Sequence, residues 1–405
     1  MASPEPSQSV LITVAGEDRA GITAKLTTVI AEAGVNISDM EQVVVRGLLS
    51  LSIVLDFPPG AAQAQPVLKD LLFAAKEMGL ELNFKVLPPH GTNDLAKRYS
   101  SVVTLIGHDH VSAASISQIA TAISGCGFNI ETIQHMDQDR VRCLELVVSS
   151  PEADGAARLK SVLLPVGRSF DVDIALQPNT VFRRIKRLVV FDLDSTLIQT
   201  EIIDELATAA GKADQVRALT RRTMEGGLDF RKSLVRRVRM LKGLPEAILE
   251  EVYQGLPFTP GAKDLIRVLQ RLGYRTAVIS GGFNYFTDRI KNAFGLDYAF
   301  GNRLEIKDGL VTGKIIEPVI DGQGKAAILC DIARTEHIHL DQVIAIGDGA
   351  NDLPMLQMAG LGIAFNARPA VQEAAEHSLS QTRLDAILFL LGITQEDVTA
   401  LQAEL

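Results

Sequence analysis

Along the first half of the chain, apolar positions alternate, then shift to helical spacing, and the succession occurs twice. Val10 to Gly16 reads as a strand and Glu17-Asp18-Arg19-Ala20-Gly21 as a turn. Ile22, Leu26, Val29 and Ile30 then form one helical face, and Gly34-Val35-Asn36-Ile37 is the exit. The pattern returns with a strand from Val102 to Gly107, a turn at His108-Asp109-His110, a stripe of Ile116, Ile119 and Ile123, and the exit Gly127-Phe128-Asn129-Ile130. In the first copy, alternating segments at 37–46 and 49–57, a helix near 63–78 and a last strand at 81–87 complete the order βαββαβ. The second copy closes on a strand-like segment at 169–176. An antiparallel sheet carrying both helices on one face buries both stripes, so each copy is expected to be a ferredoxin-like sandwich. Pro88-Pro89-His90-Gly91-Thr92-Asn93 reads as the connector between them.

Beyond Pro178 the pattern changes. Apolar runs at 188–191, 276–280, 343–346 and 361–365 show no alternation and are separated by helical segments. Strands apolar on both faces belong to a parallel sheet covered by helices on both sides, which predicts a doubly wound α/β domain over 185–405. The basic stretch Arg183-Arg184-Ile185-Lys186-Arg187 at its entrance is expected to be a solvated linker. The segment at about 200–257, rich in helix formers, reads as a helical cap inserted in the domain. The expected organisation is thus one module at 8–90, a second at 99–178 and the α/β domain at 185–405.

Composition narrows the function. Apolar residues make up 47% and charged residues 22%, an ordinary globular balance. With 40 Lys and Arg against 49 Asp and Glu, the net charge of −9 argues against a nucleic-acid binder, so an anionic substrate needs a local positive patch. Cys126, Cys143 and Cys330, without Cys-x-x-Cys spacing, are expected to be buried thiols in a reducing compartment. Met1 to Gln8 holds no basic segment followed by an apolar run, and no stretch is long and apolar enough for a bilayer, so no membrane partner and a cytoplasmic location are expected.

The chemistry gathers at strand ends. The run at 188–191 is followed by Asp192-Leu193-Asp194-Ser195-Thr196, and the run at 343–346 by Gly347-Asp348-Gly349-Ala350-Asn351-Asp352. Open α/β sheets bind ligands at the carboxyl ends of their strands. Four carboxylates converging there repel one another unless a cation joins them, and oxygen-only donors favour magnesium over zinc. Ser280-Gly281-Gly282 offers a hydroxyl and free amides to phosphate oxygens, and Lys325 a fixed positive charge.

The repeated half, through its glycine-bearing turn and Gly-x-Asn-Ile exit, resembles a pair of ACT domains, the modules that bind amino acids in metabolic enzymes. That resemblance implies L-serine or a similar ligand near Gly21 and Asn36, and a homodimer built by pairing of modules; the second copy departs from it with Ser112 in place of Gly21. The second half resembles the haloacid dehalogenase superfamily, whose four motifs match Asp192-x-Asp194, Ser280-Gly281-Gly282, Lys325 and Asp348 to Asp352 in order. This implies Asp192 as nucleophile and Asp194 as general acid and base. It further implies Mg2+ held by Asp192, the carbonyl of Asp194 and Asp348, with Asp352 behind them, and phosphate held by Ser280, Gly281, Lys325 and Asn351.

In the cap, residues 217–242 hold nine Lys or Arg against Glu225 and Asp229. Lys232, Arg236 and Arg239 are expected on one helical face, with Phe230, Leu234, Val238 and Leu241 on the other. Glu201, Met224, Phe230 and Arg236 resemble the substrate-gripping cap of phosphoserine phosphatases, and with two ACT-like modules the chain is similar to the long, mycobacterial-type form of that family. The resemblance implies hydrolysis of O-phospho-L-serine as the last step of serine biosynthesis, with feedback by serine. Two other readings fit the residues: a phosphotransferase to another small alcohol, and an amino-acid sensor without turnover.

Overall fold

The structure is a computed structural model, and it describes residues 8–57, 64–88, 99–137, 142–224 and 228–403. Most of the expected connector, from Pro89 to Asn93, lies outside the described residues. The chain divides into two compact units, Met1–Ala96 and Lys97–Leu405.

The first unit carries β1 (Gln8–Glu17), β2 (Asn36–Val45), β3 (Leu48–Phe57) and β4 (Glu81–Val86), with helices Ile22–Glu32 and Ala64–Glu77. Its antiparallel sheet runs β2-β3-β1-β4. Alternation selects the face: Val10, Ile12 and Val14 of β1 lie opposite Leu55, Ile53 and Leu51 of β3, and all six are buried beneath the Ile22, Leu26 and Ile30 stripe. Gly21 sits at φ 96° at the entry to the first helix, a conformation that a side chain disfavours.

The second unit begins with the second copy, made of β5 (Tyr99–Gly107), β6 (Asn129–His135), β7 (Cys143–Ser150) and β8 (Val172–Pro178) with helices Ala113–Gly125 and Gly155–Ser169. Its strand order, β6-β7-β5-β8, repeats that of the first. The last strand starts at Val172, because the buried stripe Leu159, Leu163 and Gly167 carries the helix to Ser169 and the chain turns at Asp171, φ 55°. Ser112, where the first copy has Gly21, caps the next helix by accepting a hydrogen bond from the Ser115 amide at 3.1 Å.

The α/β part contributes β9 (Leu188–Phe191), β10 (Arg275–Phe283), β11 (Tyr298–Lys307), β12 (Leu310–Ile316), β13 (Val343–Gly347), β14 (Leu361–Phe365) and β15 (His377–Leu379). They form one sheet in the order β12-β11-β10-β9-β13-β14-β15, parallel except for the β11–β12 hairpin. The four apolar runs are its central strands; β11, β12 and β15 are additions that are half-exposed or very short. Between β9 and β10 the cap folds as helices Ile202–Ala209, Ala213–Met224, Phe230–Arg239 and Ala247–Gln254. The chain leaves and re-enters the core through a narrow ribbon, where Ile198 bridges Phe258 and the Gln199 amide donates to the Pro257 carbonyl at 2.9 Å.

Two expectations need correction. The stretch from Arg183 to Arg187 is solvated only in part: Arg184, Ile185 and Arg187 are exposed, but Arg183 is buried against the Glu145 carboxylate of β7, and Lys186, also buried, donates to the Asp341 carbonyl at 2.6 Å. The reason is that the second copy packs directly on the α/β core, and its Ile106, Met136, Cys143 and Ala175 join that core's cluster. Cys126 and Cys143 are buried, but Cys330 is only partly so. Among the described residues no helix is long and apolar enough to cross a membrane.

Candidate active site

β9 lies between β10 and β13 at the centre of the sheet, so their carboxyl ends deliver three motifs to one spot. The Asp192 amide still donates to the Ile346 carbonyl at 2.8 Å, extending the ladder by one rung before the chain turns. Ser195 makes the turn at φ 57°, a conformation costly for a residue with a side chain and held here by its surroundings. Its hydroxyl donates to Glu201 Oε1 at 3.1 Å, and its amide to the Thr200 carbonyl at 3.2 Å.

Asp192 and Asp194 are buried on different partners. Lys325 Nζ, fully buried, stands 2.6 Å from both Asp192 Oδ1 and Asp352 Oδ1. Asp352 Oδ2 accepts from the Gly349 amide at 2.9 Å, so both its oxygens are engaged. Asp348 accepts a hydrogen bond from the Thr196 hydroxyl at 3.1 Å. Oxygens of Asp192, Asp348 and Asp352 all lie within 4.8 Å of one another. Asp194 turns away from this cluster: its Oδ1 accepts from the Ile202 amide at 2.7 Å, at the start of the cap's first helix, and its Oδ2 accepts from the Ser280 hydroxyl at 3.0 Å. Close approach explains two glycines. A Cβ on Gly347 would fall 2.6 Å from the Asp352 carboxyl carbon, and one on Gly281 would fall 2.6 Å from the Phe230 ring.

The charges are out of balance. Burial, and then the neighbouring Asp352, raise the Asp192 and Asp348 carboxyls well above the ordinary carboxylate range. Burial likewise raises Asp194. Burial alone would lower Lys325, but the Asp192 and Asp352 carboxylates outweigh it and hold the ammonium above its usual value. One lysine does not neutralise three clustered aspartates, so the donor set fits a hard divalent cation.

Beneath the cap lies a cavity of about 30 Å³, lined by Asp192, Asp194, Glu201, Ile203, Phe230, Leu234, Arg237, Gly281, Gly282, Phe283 and Asn351. That is room for about two waters. Burial, then the charge of Asp194, push Glu201 up to about 8. The Asn351 side-chain oxygen and Arg237 Nε are buried without a hydrogen-bond partner.

The structure brings together Asp192, Asp194, Glu201, Phe230, Ser280, Gly281, Lys325, Asp348, Asn351 and Asp352. It does not bring Arg236, which is exposed; the buried arginine at the cavity is Arg237. The physical reason is helical phase. Phe230, Leu234 and Arg237 recur at i, i+4 and i+7 on the inward face, while Arg231, Lys232, Arg236 and Arg239 face outward. That spacing was present in the sequence and would have selected Arg237. Met224 ends its helix, and its side chain lies outside the described residues. Gly21 and Asn36 belong to the first unit, where Asn36 opens β2 on the exposed edge.

Fold and site together define a haloacid dehalogenase-like hydrolase: the model of that family matches residues 189–357, and ACT domain models match residues 8–85 and 100–177. A solved HAD family hydrolase from Salmonella enterica serovar Typhi superposes with a TM-score of 0.63 at 32% identity, over 72% of this chain and 98% of that one. The phosphoserine phosphatase SerB2 of Mycobacterium tuberculosis is 40% identical over 98% of this chain and 96% of its own length. The phosphoserine phosphatase of Streptomyces coelicolor is 41% identical over 97% and 94%. The chain belongs to the phosphoserine phosphatase family, in the long form with two N-terminal ACT domains.

Proposed function

We propose that this enzyme hydrolyses O-phospho-L-serine to L-serine and phosphate with Mg2+ as cofactor. The reading is carried by one juxtaposition: a single cavity is lined by Asp192 and Asp194 together with Glu201 and Arg237. The first pair suits a phosphoryl group, and the second suits the ammonium and carboxylate of an amino acid.

Asp192 attacks phosphorus, forming an aspartyl-phosphate as the bond from phosphorus to the serine oxygen breaks. Asp194 gives its proton to the departing alkoxide and later takes one from the water that cleaves the intermediate. Its burial favours the protonated state needed first, and its bonds from Ser280 and Ile202 fix its direction. Ser280, the Gly281 amide, Lys325 and Asn351 hold the phosphate oxygens. Asp192, the Asp194 carbonyl and Asp348 would hold Mg2+, while Asp352, committed to Lys325 and Gly349, orients the group from behind. Bound there, the ion offsets the repulsion between carboxylates and a phosphate dianion. Glu201 receives the substrate ammonium, Arg237 its carboxylate, and Phe230 with Met224 its carbon skeleton.

The wider proposal follows the family. The domains are those at 8–90, 99–178 and 185–405, with the cap at about 200–257. The reaction is the last step of serine biosynthesis in the cytoplasm, and L-serine returns to the ACT modules of a homodimer, near Gly21 and Asn36, to regulate it. The ACT matches support this regulatory part.

The test is phosphate release from O-phospho-L-serine beside a panel of other phosphomonoesters, with and without magnesium, for wild type and Asp192→Asn. O-phospho-L-serine is expected to be preferred by at least about tenfold, and Asp192→Asn to lose at least about 10³-fold in kcat. Full activity in Asp192→Asn would overturn the chemistry; a tenfold preference for another ester would overturn the substrate.

A further inference from the structure

Arg237 reaches the cavity from a helix whose other arginines face outward, and a guanidinium on a long side chain needs something to fix it. Only one described hydrogen bond reaches it. Arg237 Nη1 donates to the Thr220 hydroxyl at 3.2 Å, and Thr220 Oγ1 donates in turn to Asp204 Oδ1 at 2.8 Å. The direction of this chain is forced, because a guanidinium can only donate and an ionised carboxylate can only accept. The hydroxyl must therefore point its proton at Asp204 and a lone pair at Arg237. Three cap helices supply the three residues, and Thr220 is buried between them. One turn further along, the Thr223 hydroxyl donates to Ser233 Oγ at 2.5 Å and fastens the same two helices to each other.

The charges agree with this geometry. Burial raises Asp204 and lowers Arg237, and the opposite charge each gives the other counters part of that cost. Arg237 Nε remains buried and unpartnered, on a side chain that lines the cavity.

We propose that Asp204 and Thr220 are positioning residues that aim Arg237 at the carboxylate of the substrate and so set the preference for carboxylate-bearing phosphomonoesters. This rests on the reading that Arg237 receives that carboxylate. Neither residue touches substrate; each acts through the guanidinium.

The experiment compares kcat/KM for O-phospho-L-serine and for O-phosphoethanolamine, which keeps phosphate and ammonium but lacks the carboxylate. Inhibition by inorganic phosphate serves as a second readout of the phosphate end. In Thr220→Val, which keeps the shape and removes the hydroxyl, O-phospho-L-serine is expected to lose roughly 10- to 100-fold, the scale of one charged hydrogen bond. O-Phosphoethanolamine and the phosphate inhibition constant should move by less than about threefold. Asp204→Asn should show the same one-sided loss, and Thr220→Ser should restore preference. Equal losses on both substrates, or none on either, would overturn the proposal. Arg237→Ala separates it from the reading beneath: if that variant penalises both substrates alike, Arg237 does not meet the carboxylate and the reading falls. If it abolishes the preference while Thr220→Val leaves it intact, only the positioning role falls.

Discussion

The two ACT modules share an element order and a strand order, yet their sheets are buried differently. In the first, β1 and β3 alternate between buried and more open positions, and the core consists of the module's own side chains. In the second, β5 is buried at seven successive positions and β7 at all but one, so both faces of these two strands are covered. One face packs on its own helices; the other gives Ile106, Met136, Cys143 and Ala175 to the catalytic core. Polar groups lock the same seam. Asp173 accepts from the Ser380 amide and from Gln381 Nε2, both at 2.8 Å, and Gln177 donates to the Leu390 carbonyl at 3.0 Å. Duplication of the ACT fold has left one module with a core of its own and one whose sheet is part of the wall of the α/β domain.

Truncation tests this contrast most severely. A fragment starting at residue 97 should melt within about 2 °C of the catalytic transition in the full chain. One starting at residue 179 lacks Ile106, Met136, Cys143 and Ala175, bares the apolar surface they cover on the α/β core, and should melt at least about 10 °C lower or aggregate. Equal melting of the two fragments in calorimetry would erase the distinction.

Ion pairs give the next contrast. Arg183 and Glu145 are buried together, so Glu145→Gln leaves a buried guanidinium without its counter-charge and should cost about 3–5 kcal/mol in urea unfolding. The Lys25–Glu77 pair of the first module, at 2.7 Å, is solvent-exposed, and Glu77→Gln should shift the urea midpoint far less than Glu145→Gln does.

The smallest expected effect is in pH dependence, where the two modules should slope in opposite directions. Burial raises Asp173, so its contribution to stability is greatest at acid pH, below the ordinary aspartate value, and is lost as pH rises through the elevated one. Lys25 lowers Glu77, so that group's contribution is present above the ordinary glutamate value and fades as pH falls through the depressed one. Asp173→Asn and Glu77→Gln should each flatten the slope of its own unit in unfolding measured from pH 3 to 7. Slopes of the same sign would contradict the account.

What the sequence disclosed follows from how locally each feature is encoded. β9 and β13 announce themselves because an apolar run and the acidic turn after it are contiguous, so Asp192, Asp194, Asp348 and Asp352 can be read directly. The repeat is legible for the same reason. Arg237 was missed in favour of Arg236 because neighbouring residues on a helix differ by about 100° in direction, and only the phase set by Phe230 and Leu234 decides which points inward. Arg183 and Lys186 look like a charged linker because their partners, Glu145 and the Asp341 carbonyl, lie far away along the chain. The hairpin of β11 and β12 carries half-exposed residues whose pattern resembles neither a buried strand nor a helix.

The narrow ribbon at Ile198 and Phe258 has its own consequence. The polypeptide passes between the helical insert and the sheet at two neighbouring points, so any shift of the insert relative to the aspartates bends these few residues, and substitutions there should change kcat and KM together.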